Sequence, residues 1–496
     1  MSLTDILLVV VYYPFIEPLK TAFLLLAAVF FGMAVRDFFQ RDSSIKRNFP
    51  LFGMGRYIIA QAGPPLRQYL FENDRDERPI PRYIRKWIQA SATSATATVP
   101  FGTQLDIDKP GTVLMRHSAF PRPAEYHPEG VVCGERRRHP YTVNRFNISA
   151  MSFGSLGKNA ISALSAGAKI GGFYHNTGEG GVSPYHLGGG ADLVWQIGTG
   201  KFGCRHQDGS FNEEAFAEVA SHEQIKMIEL KLSQGAKPGK GGILPGEKIT
   251  DEIAAIRMVK PGVDVISPSR HAEWDDAEGM CAFIGRLQEL TGKPVGIKFC
   301  LGKPSFLDDI CRAFKSTGII PDYIAVDGAE GGTGAAPLAH TNMLGYPLLD
   351  ALMLTENALI KHRLRDEIRL CASGKVWTGG DLAVAIAAGA DWCASARGFM
   401  LSVGCIQALH CNTNFCPAGV ATHNAWLQRG LVPDVKAPQV ARFHEAVIHD
   451  FADVLASCGY DNPSDLSRKD LMKVVGWHDI RPLSELVPYP WDHAAK

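Results

Sequence analysis

The sequence predicts an α/β protein built on a (β/α)8 barrel of the TIM type, with a hydrophobic helix before it and a helical extension after it. Two observations carry this. From about residue 145, short β-branched runs alternate with alanine-rich helical stretches, about eight times. Nearly every such run also ends in Gly, Ser, Lys or another polar residue. The catalytic face of a barrel needs such strand ends; a purely structural scaffold does not. A doubly wound open sheet is the competing architecture, and the count and the polar strand ends favour the barrel.

Residues 1–40 are a membrane-anchor candidate. Residues 6–16 (ILLVVVYYPFI) and 21–35 (TAFLLLAAVFFGMAV) are apolar, with Glu17, Pro18 and Lys20 between them. Neither run reaches the roughly 20 residues of a spanning helix, but together they allow a kinked span or a shallow hairpin. Arg36, Arg41, Lys46, Arg47 and Arg56 follow. Basic flanks stay inside, so the rest of the chain is expected on the cytoplasmic side of the inner membrane. The alternative is a buried helix used in an oligomer contact.

Residues 41–144 read as an extension packing on the barrel. In it, RYIIAQAGPPLRQYL is a helix broken at Pro64-Pro65. The barrel takes residues 145–429. Strands are expected at 146–151, 172–177, 226–232, 263–267, 295–299, 323–327, 368–373 and 391–396. Residues 182–225 are then an insertion after the second strand. Residues 430–496 read as a helical tail, where DNPSDLSRKDLMKVVG carries caps before an apolar stripe.

Composition narrows the function. Of 496 residues, 46% are hydrophobic and 21% charged, which excludes a disordered or fibrous chain. Lys+Arg and Asp+Glu are 51 each, so no bulk charge draws the chain to nucleic acid. Eleven scattered cysteines fit a reducing compartment rather than a disulfide framework.

The predicted strand ends offer, in order, Ala150-Met151-Ser152, Thr177 with Glu179, Lys231 with Gln234, Lys298, Asp327 leading into Gly331-Gly332, Ser373-Gly374, and Ala396-Arg397. Barrels commonly bind phosphate after the last two strands. There, Ser373-Gly374, the helix start Gly379-Gly380 and Arg397 are the phosphate candidates. A lysine at the end of VGIK, Lys298, must face the mouth, where it could stabilise a reduced flavin or form a Schiff base. Cys405, Cys411 and Cys416 have the spacing C-x5-C-x4-C. Three thiolates fit a three-iron cluster. Zinc with His410 as fourth ligand, or three ordinary buried cysteines, are the alternatives.

With these motifs together, the chain resembles the FMN-binding glutamate synthase family, and more narrowly its stand-alone synthase-domain proteins with a hydrophobic N-terminus. The stretches are SAMSFGSL (149–156), NTGEGG (176–181), KLSQGAKPGKGGILPGEKI (231–249), DGAEGGTGAAP (327–337) and GCIQALHCNTNFCPAGVATH (404–423). The resemblance implies FMN and a [3Fe–4S] cluster as cofactors. It places Ala150, Met151 and Ser152 beside the flavin ring, Lys298 near flavin and substrate, Gly331 and Gly332 in the flavin-side loop, Gly374 and Arg397 at the phosphate, and Cys405, Cys411 and Cys416 on the cluster. It implies addition of ammonia to 2-oxoglutarate and reduction of 2-iminoglutarate to glutamate. Lys298, Lys231 and Glu179 are the catalytic candidates, and Arg270 and Gln234 the substrate-binding ones.

Two departures bear on this. No glutaminase cysteine follows Met1, so an ammonia-supplying subunit or free ammonia is implied. No G-x-G-x-x-G motif is evident, so electrons are expected from ferredoxin or a reductase subunit. The competing reading is an electron-transfer or regulatory flavoprotein, or an enzyme for another amino acid or 2-oxo acid; a homo-oligomer is left open.

Overall fold

Eight parallel strands close into a barrel in a computed structural model that describes residues 17–94, 98–124 and 130–493. They are β1 (Phe146–Ile148), β2 (His175–Asn176), β3 (Leu193–Ile197), β4 (Ile225–Lys231), β5 (Val295–Phe299), β6 (Tyr323–Asp327), β7 (Arg369–Ser373) and β8 (Trp392–Ser395). Each pairs with its neighbours in sequence, and β8 closes on β1. The apolar run 6–16 lies outside the described residues. The chain divides into two compact units, residues 1–81 and 82–496.

The expected number of strands is right, but one member is not. The run 263–267 is not in the barrel: Val265–Ile266 pairs antiparallel with Ile243–Leu244 in a separate hairpin. Its Ile266 is 70% exposed. The third barrel strand is instead Leu193–Ile197, inside the stretch expected to be an insertion. All five of its residues are buried. A strand covered on both faces shows no alternation, so a short LVWQI run beside glycines carries little strand signal. The long excursion follows β4, where that hairpin and the helix Asp251–Arg257 precede β5.

The barrel interior has an apolar floor and a polar upper layer. Tyr174, Met227, Tyr323, Cys371 and Trp392 pack with Val131, Cys133 and Val143 from the hairpin Val131–Cys133/Tyr141–Val143, which plugs the floor. Above them Glu229 on β4 accepts from Asn176 Nδ2 at 2.9 Å and Gln196 Nε2 at 2.6 Å. A buried carboxylate is tolerable because these donors satisfy it. Gly296 on β5 lies in register with Tyr323, and a Cβ there would stand 2.3 Å from the tyrosine ring.

Outside, helix Pro433–Ser457 packs on helix Lys158–Gly171, where Gly167 admits Val440. It also meets helix Arg82–Thr93 through Trp87 against Phe443 and through Arg442 Nε donating to the Ala92 carbonyl at 2.9 Å. The tail thus contains its long helix, but its last part corrects the helical expectation. The Ser467–Asp470 caps exist and close only a single 3-10 turn. Then Leu471–Gly476 forms a strand between Val113–Met115 and Asp479–Pro482. An edge offered from far away in sequence overrides the local helical pattern.

In the first unit, helix Pro18–Phe39 is long and apolar enough to cross a membrane, and its apolar window is unburied. Helix Phe52–Leu66 does not break at Pro64-Pro65. It runs on through both prolines into a π-helical turn, Arg67–Phe71.

Replacing Gly296 by Ala drives a methyl into the buried Tyr323 ring. The expected loss is about 1–3 kcal/mol of unfolding free energy, measured by urea denaturation. Ala at exposed Gly302, where a Cβ meets nothing within 4 Å, leaves stability unchanged.

Candidate active site

Lys231 at the end of β4 and Lys298 on β5 are register partners. Two ammonium groups side by side at a buried mouth need separate counter-charges. Lys298 Nζ lies 3.4 Å from Asp327 Oδ1 at the end of β6. Lys231 Nζ lies 3.0 Å from Glu179 Oε1, in the turn after β2, and donates to Gln234 Oε1 at 2.5 Å. Glycines make room for both carboxylates. A Cβ on Gly198 or Gly242 would stand 2.6 or 2.9 Å from the Glu179 carboxylate. Asp327 Oδ2 accepts the Gly235 N–H at 2.6 Å, and Gly235 packs so closely on the Gly328 carbonyl that no side chain fits.

The charges are settled by these pairs. Burial pulls the Lys298 pKa down, but Asp327 and Glu229 raise it above the ordinary lysine value. Burial pushes Glu179 up, but Lys231, Lys237 and Arg257 bring it below the ordinary carboxylate value. Both groups are therefore ionised at neutral pH.

A cleft opens beside Glu179. Ser152, Lys237, Lys248 and Arg257 line it, with Thr333–Ala335 and Cys411-Asn412 also in its wall. Arg257 is buried at the end of helix Asp251–Arg257. It donates to the Phe153 carbonyl at 3.2 Å and lies 5.0 Å over the Phe202 ring, but its Nε has no partner. Burial lowers its pKa to about 10, so it stays charged. Three cations against one carboxylate, with an orphaned guanidinium N–H, make this an anion-accepting cleft. Sequence reasoning missed Arg257 and Lys248. Lys248 lies in a quoted motif; Arg257 had one signal, its place on the buried face with Ile253 and Ala254.

The other expected residues divide. Met151 is held twice, by its N–H on the Asn176 carbonyl (3.1 Å) and by His186 Nε2 on its own carbonyl (3.1 Å). Ala150 precedes it in the loop after β1, and Ser152 Oγ lies 2.9 Å from Ser155 Oγ. Ser373 Oγ lies 3.3 Å from Ser149 Oγ, and Gly374 (φ 143°) packs on Gly328. Arg397, after Ala396, donates to the Glu330 carbonyl at 2.7 Å and lies against Gly332, next to Gly331. These groups gather at the mouths of β1, β6, β7 and β8.

Arg270, the Gly379-Gly380 pair and Thr177 have partners of their own. Arg270 does not reach the cleft: its side chain is 68% exposed and pairs with Asp275 at 2.7 Å. The adjacent His271 turns inward instead, with Nε2 on the Lys231 carbonyl at 2.9 Å and its ring stacked on Trp274. Gly379 and Gly380 do not offer their amides to a phosphate. Gly379 N–H donates to Asp450 Oδ2 at 2.7 Å, and the Gly380 N–H also faces that carboxylate. A phosphate there would meet a like charge. Thr177 spends its hydroxyl on the Gly178 carbonyl at 3.0 Å.

Cys405, Cys411 and Cys416 lie on one loop turned by left-handed residues at Gln407, Leu409 and Asn414, and none forms a disulfide. Among the described residues, no three His, Cys, Asp or Glu side chains form a group that could hold a metal ion. The thiols still sense one another. Burial pushes Cys405 up to about 11, with Cys411 and Cys416 adding to the rise. His410 is exposed.

Known proteins match this chain over most of its length. Residues 122–461 match the family model for the conserved region in glutamate synthase. The glutamate synthase large subunit-like protein YerD of Bacillus subtilis is 38% identical, over 90% of this chain and 92% of its own. An archaeal NADPH glutamate synthase of Methanocaldococcus jannaschii is 34% identical over 67% of this chain, and the match spans 62% of that relative. Ferredoxin-dependent glutamate synthase 2 of Synechocystis is 32% identical over 67% of this chain and 22% of its own.

The buried His271 gives a pH signature. Burial lowers its pKa from 6.5 to about 4. The unfolded chain takes up this proton below about pH 6.5, which the folded protein refuses until about pH 4. Stability therefore falls as pH drops through that window. His271→Asn, which keeps a donor for the Lys231 carbonyl, is expected to flatten the slope by up to about 1.4 kcal/mol per pH unit, read from urea midpoints across the window.

Proposed function

The chain belongs to the glutamate synthase family and is an oxidoreductase; from that premise we propose that it reduces 2-iminoglutarate, formed from 2-oxoglutarate and ammonia, to glutamate. The observation that carries this reading is the orphaned Arg257 Nε in a cationic cleft beside the Lys231–Glu179 pair. A dicarboxylate fits cations better than any neutral substrate does. Arg257 and Lys237 take its carboxylates. The Lys231–Glu179 pair, steadied by Gln234 and His271, supplies the proton that the substrate nitrogen needs.

The reduction needs a hydride donor, and FMN supplies it when bound. The residues at the barrel mouth fit that group. Gly374 and Arg397 suit its phosphate: the glycine leaves the backbone bare, and the guanidinium is a planar fork. The Met151 loop, pinned at both its amide and its carbonyl, suits a flat ring. Lys298, kept protonated by Asp327 and Glu229, offers a fixed cation for the negative charge of the reduced ring. Cys405, Cys411 and Cys416, which share one loop without forming a single-ion site, would instead give one thiolate to each iron of a [3Fe–4S] cluster. Electrons come from ferredoxin or, through a reductase subunit, from NADPH; ferredoxin and NADPH are the donors in the relatives' names.

We also propose membrane association through helix Pro18–Phe39. Its 22 residues span about 33 Å at 1.5 Å each, close to the hydrocarbon thickness of a bilayer. Arg41, Lys46 and Arg47 follow it, and Phe52, Ile58 and Ile59 on helix Phe52–Leu66 are exposed. The barrel then faces the cytoplasm.

Anaerobically purified protein is expected to show flavin bands over broad iron–sulfur absorbance, with about three irons per FMN. With a reductant, 2-oxoglutarate and ammonium it should form glutamate; no turnover by the cofactor-replete chain would leave only an electron-transfer role. Arg257→Met should raise KM for the 2-oxo acid about 10- to 100-fold with FMN content unchanged. The full chain should float with phosphatidylcholine/phosphatidylglycerol vesicles, and sedimentation apart from them would remove the anchor.

A further inference from the structure

Lys248 stands where the excursion after β4 meets the cysteine loop. It is 3% exposed and follows the hairpin strand Ile243–Leu244 in a 3-10 turn, Gly246–Lys248. That turn is fixed at both ends. The Lys248 N–H donates to the Pro245 carbonyl at 2.9 Å, and the Gly246 N–H donates to Asp264 Oδ1 at 2.7 Å. The ammonium reaches across to the carbonyls of Cys411 at 2.8 Å and Ala421 at 3.4 Å. These carbonyls flank Cys416 in sequence, so one cation cinches the loop on both sides of a thiol. Burial lowers the Lys248 pKa, and the ionisable groups that oppose this are the thiols of Cys411 and Cys416; its charge is also felt by His423. A buried ammonium facing carbonyls and thiols is expensive unless negative charge gathers there. Thiolates on iron would supply it. Lys248 also lines the cleft that holds Glu179 and Arg257.

We propose that Lys248 is a positioning residue of the iron–sulfur site, setting the spacing of Cys411 and Cys416, placing a fixed positive charge beside the cluster, and tying that loop to the wall of the substrate cleft. This rests on the cluster reading given above. A cation near a redox centre favours its more negative, reduced state, so Lys248 raises the reduction potential. It therefore biases electrons toward the cluster, and an anionic substrate entering the cleft screens that bias.

The test uses the full chain, reconstituted anaerobically, as wild type and as Lys248→Met, Lys248→Gln and Lys248→Arg. FMN content reports that each variant folds. The readouts are iron loss to a chelator and an EPR-monitored redox titration. Lys248→Met is expected to lose iron several-fold faster and to titrate at a lower potential. Lys248→Arg, which keeps charge and donors, should restore both. Lys248→Gln, which keeps a donor without charge, should hold iron better than Met but titrate low. Iron retention and potential in Lys248→Met equal to wild type would overturn the role of Lys248 while leaving the cluster intact. A wild-type chain that takes up FMN but no iron would instead overturn the cluster reading, and this inference with it.

Discussion

Lys231 and Lys298 share a register position on adjacent strands and cannot both be buried without two carboxylates. Much of the upper barrel follows from that constraint. Glu179 comes from the turn after β2 and Asp327 from the end of β6, so strands on both sides of the lysines are committed to them. The space each carboxylate occupies is bought with glycine: Gly198 and Gly242 around Glu179, Gly235 against Asp327. Glu229 below completes the arrangement, satisfied by Asn176 and Gln196, and adds to the field that keeps Lys298 charged. The result is a mouth whose charges are fixed before any ligand arrives, which is what electrostatic preorganisation requires.

The same logic extends outward. His271 is buried neutral and holds the Lys231 backbone rather than its ammonium. Behind it Lys201, from the loop after β3, pairs with Glu273 at 2.9 Å, so a buried ion pair as well as the His271 contact anchors the segment 267–276. Arg468 is fully buried against Glu356, Asn357 and the carbonyls of Met353 and Val487. Removing one partner of such a pair costs more than the pair contributes, because the other is left uncompensated. Asp450 caps the helix after β7 in the same spirit, reaching from helix Pro433–Ser457 to the Gly379 amide.

The cleft joins segments distant in sequence: the loops after β1, β2, β3 and β6, the excursion after β4 and the cysteine loop. Arg257 and Lys248 both come from the excursion. Arg257 holds the Phe153 carbonyl and lies over the Phe202 ring, and Lys248 holds the carbonyls of Cys411 and Ala421. An excursion carrying both ties the loops at the strand ends to the cysteine loop through one piece of backbone.

Much of this was legible in the residues. Alternation and polar strand ends indicate a barrel because a strand covered by helices must be apolar and its mouth need not be. Lys298 and Lys231 were visible because a polar residue closing an apolar run has few places to go, and Glu179 and Gln234 because they stand in the turns that follow such runs. The rest depended on contacts between distant segments. Leu193–Ile197 is a strand because the barrel has a place for it, and Leu471–Gly476 because Val113–Met115 offers an edge. Arg270 and His271 are adjacent in sequence, and nothing local says which turns inward; Lys231 and Trp274 decide it. Gly379 and Gly380 open a helix as a phosphate site would, yet Asp450 from far along the chain already occupies their amides. Sequence alone therefore determined the class of elements and the residue types at the mouth, which follow from local burial and periodicity. The partner of each charged group was decided by tertiary structure, because charge pairing acts through space and has no period in the chain.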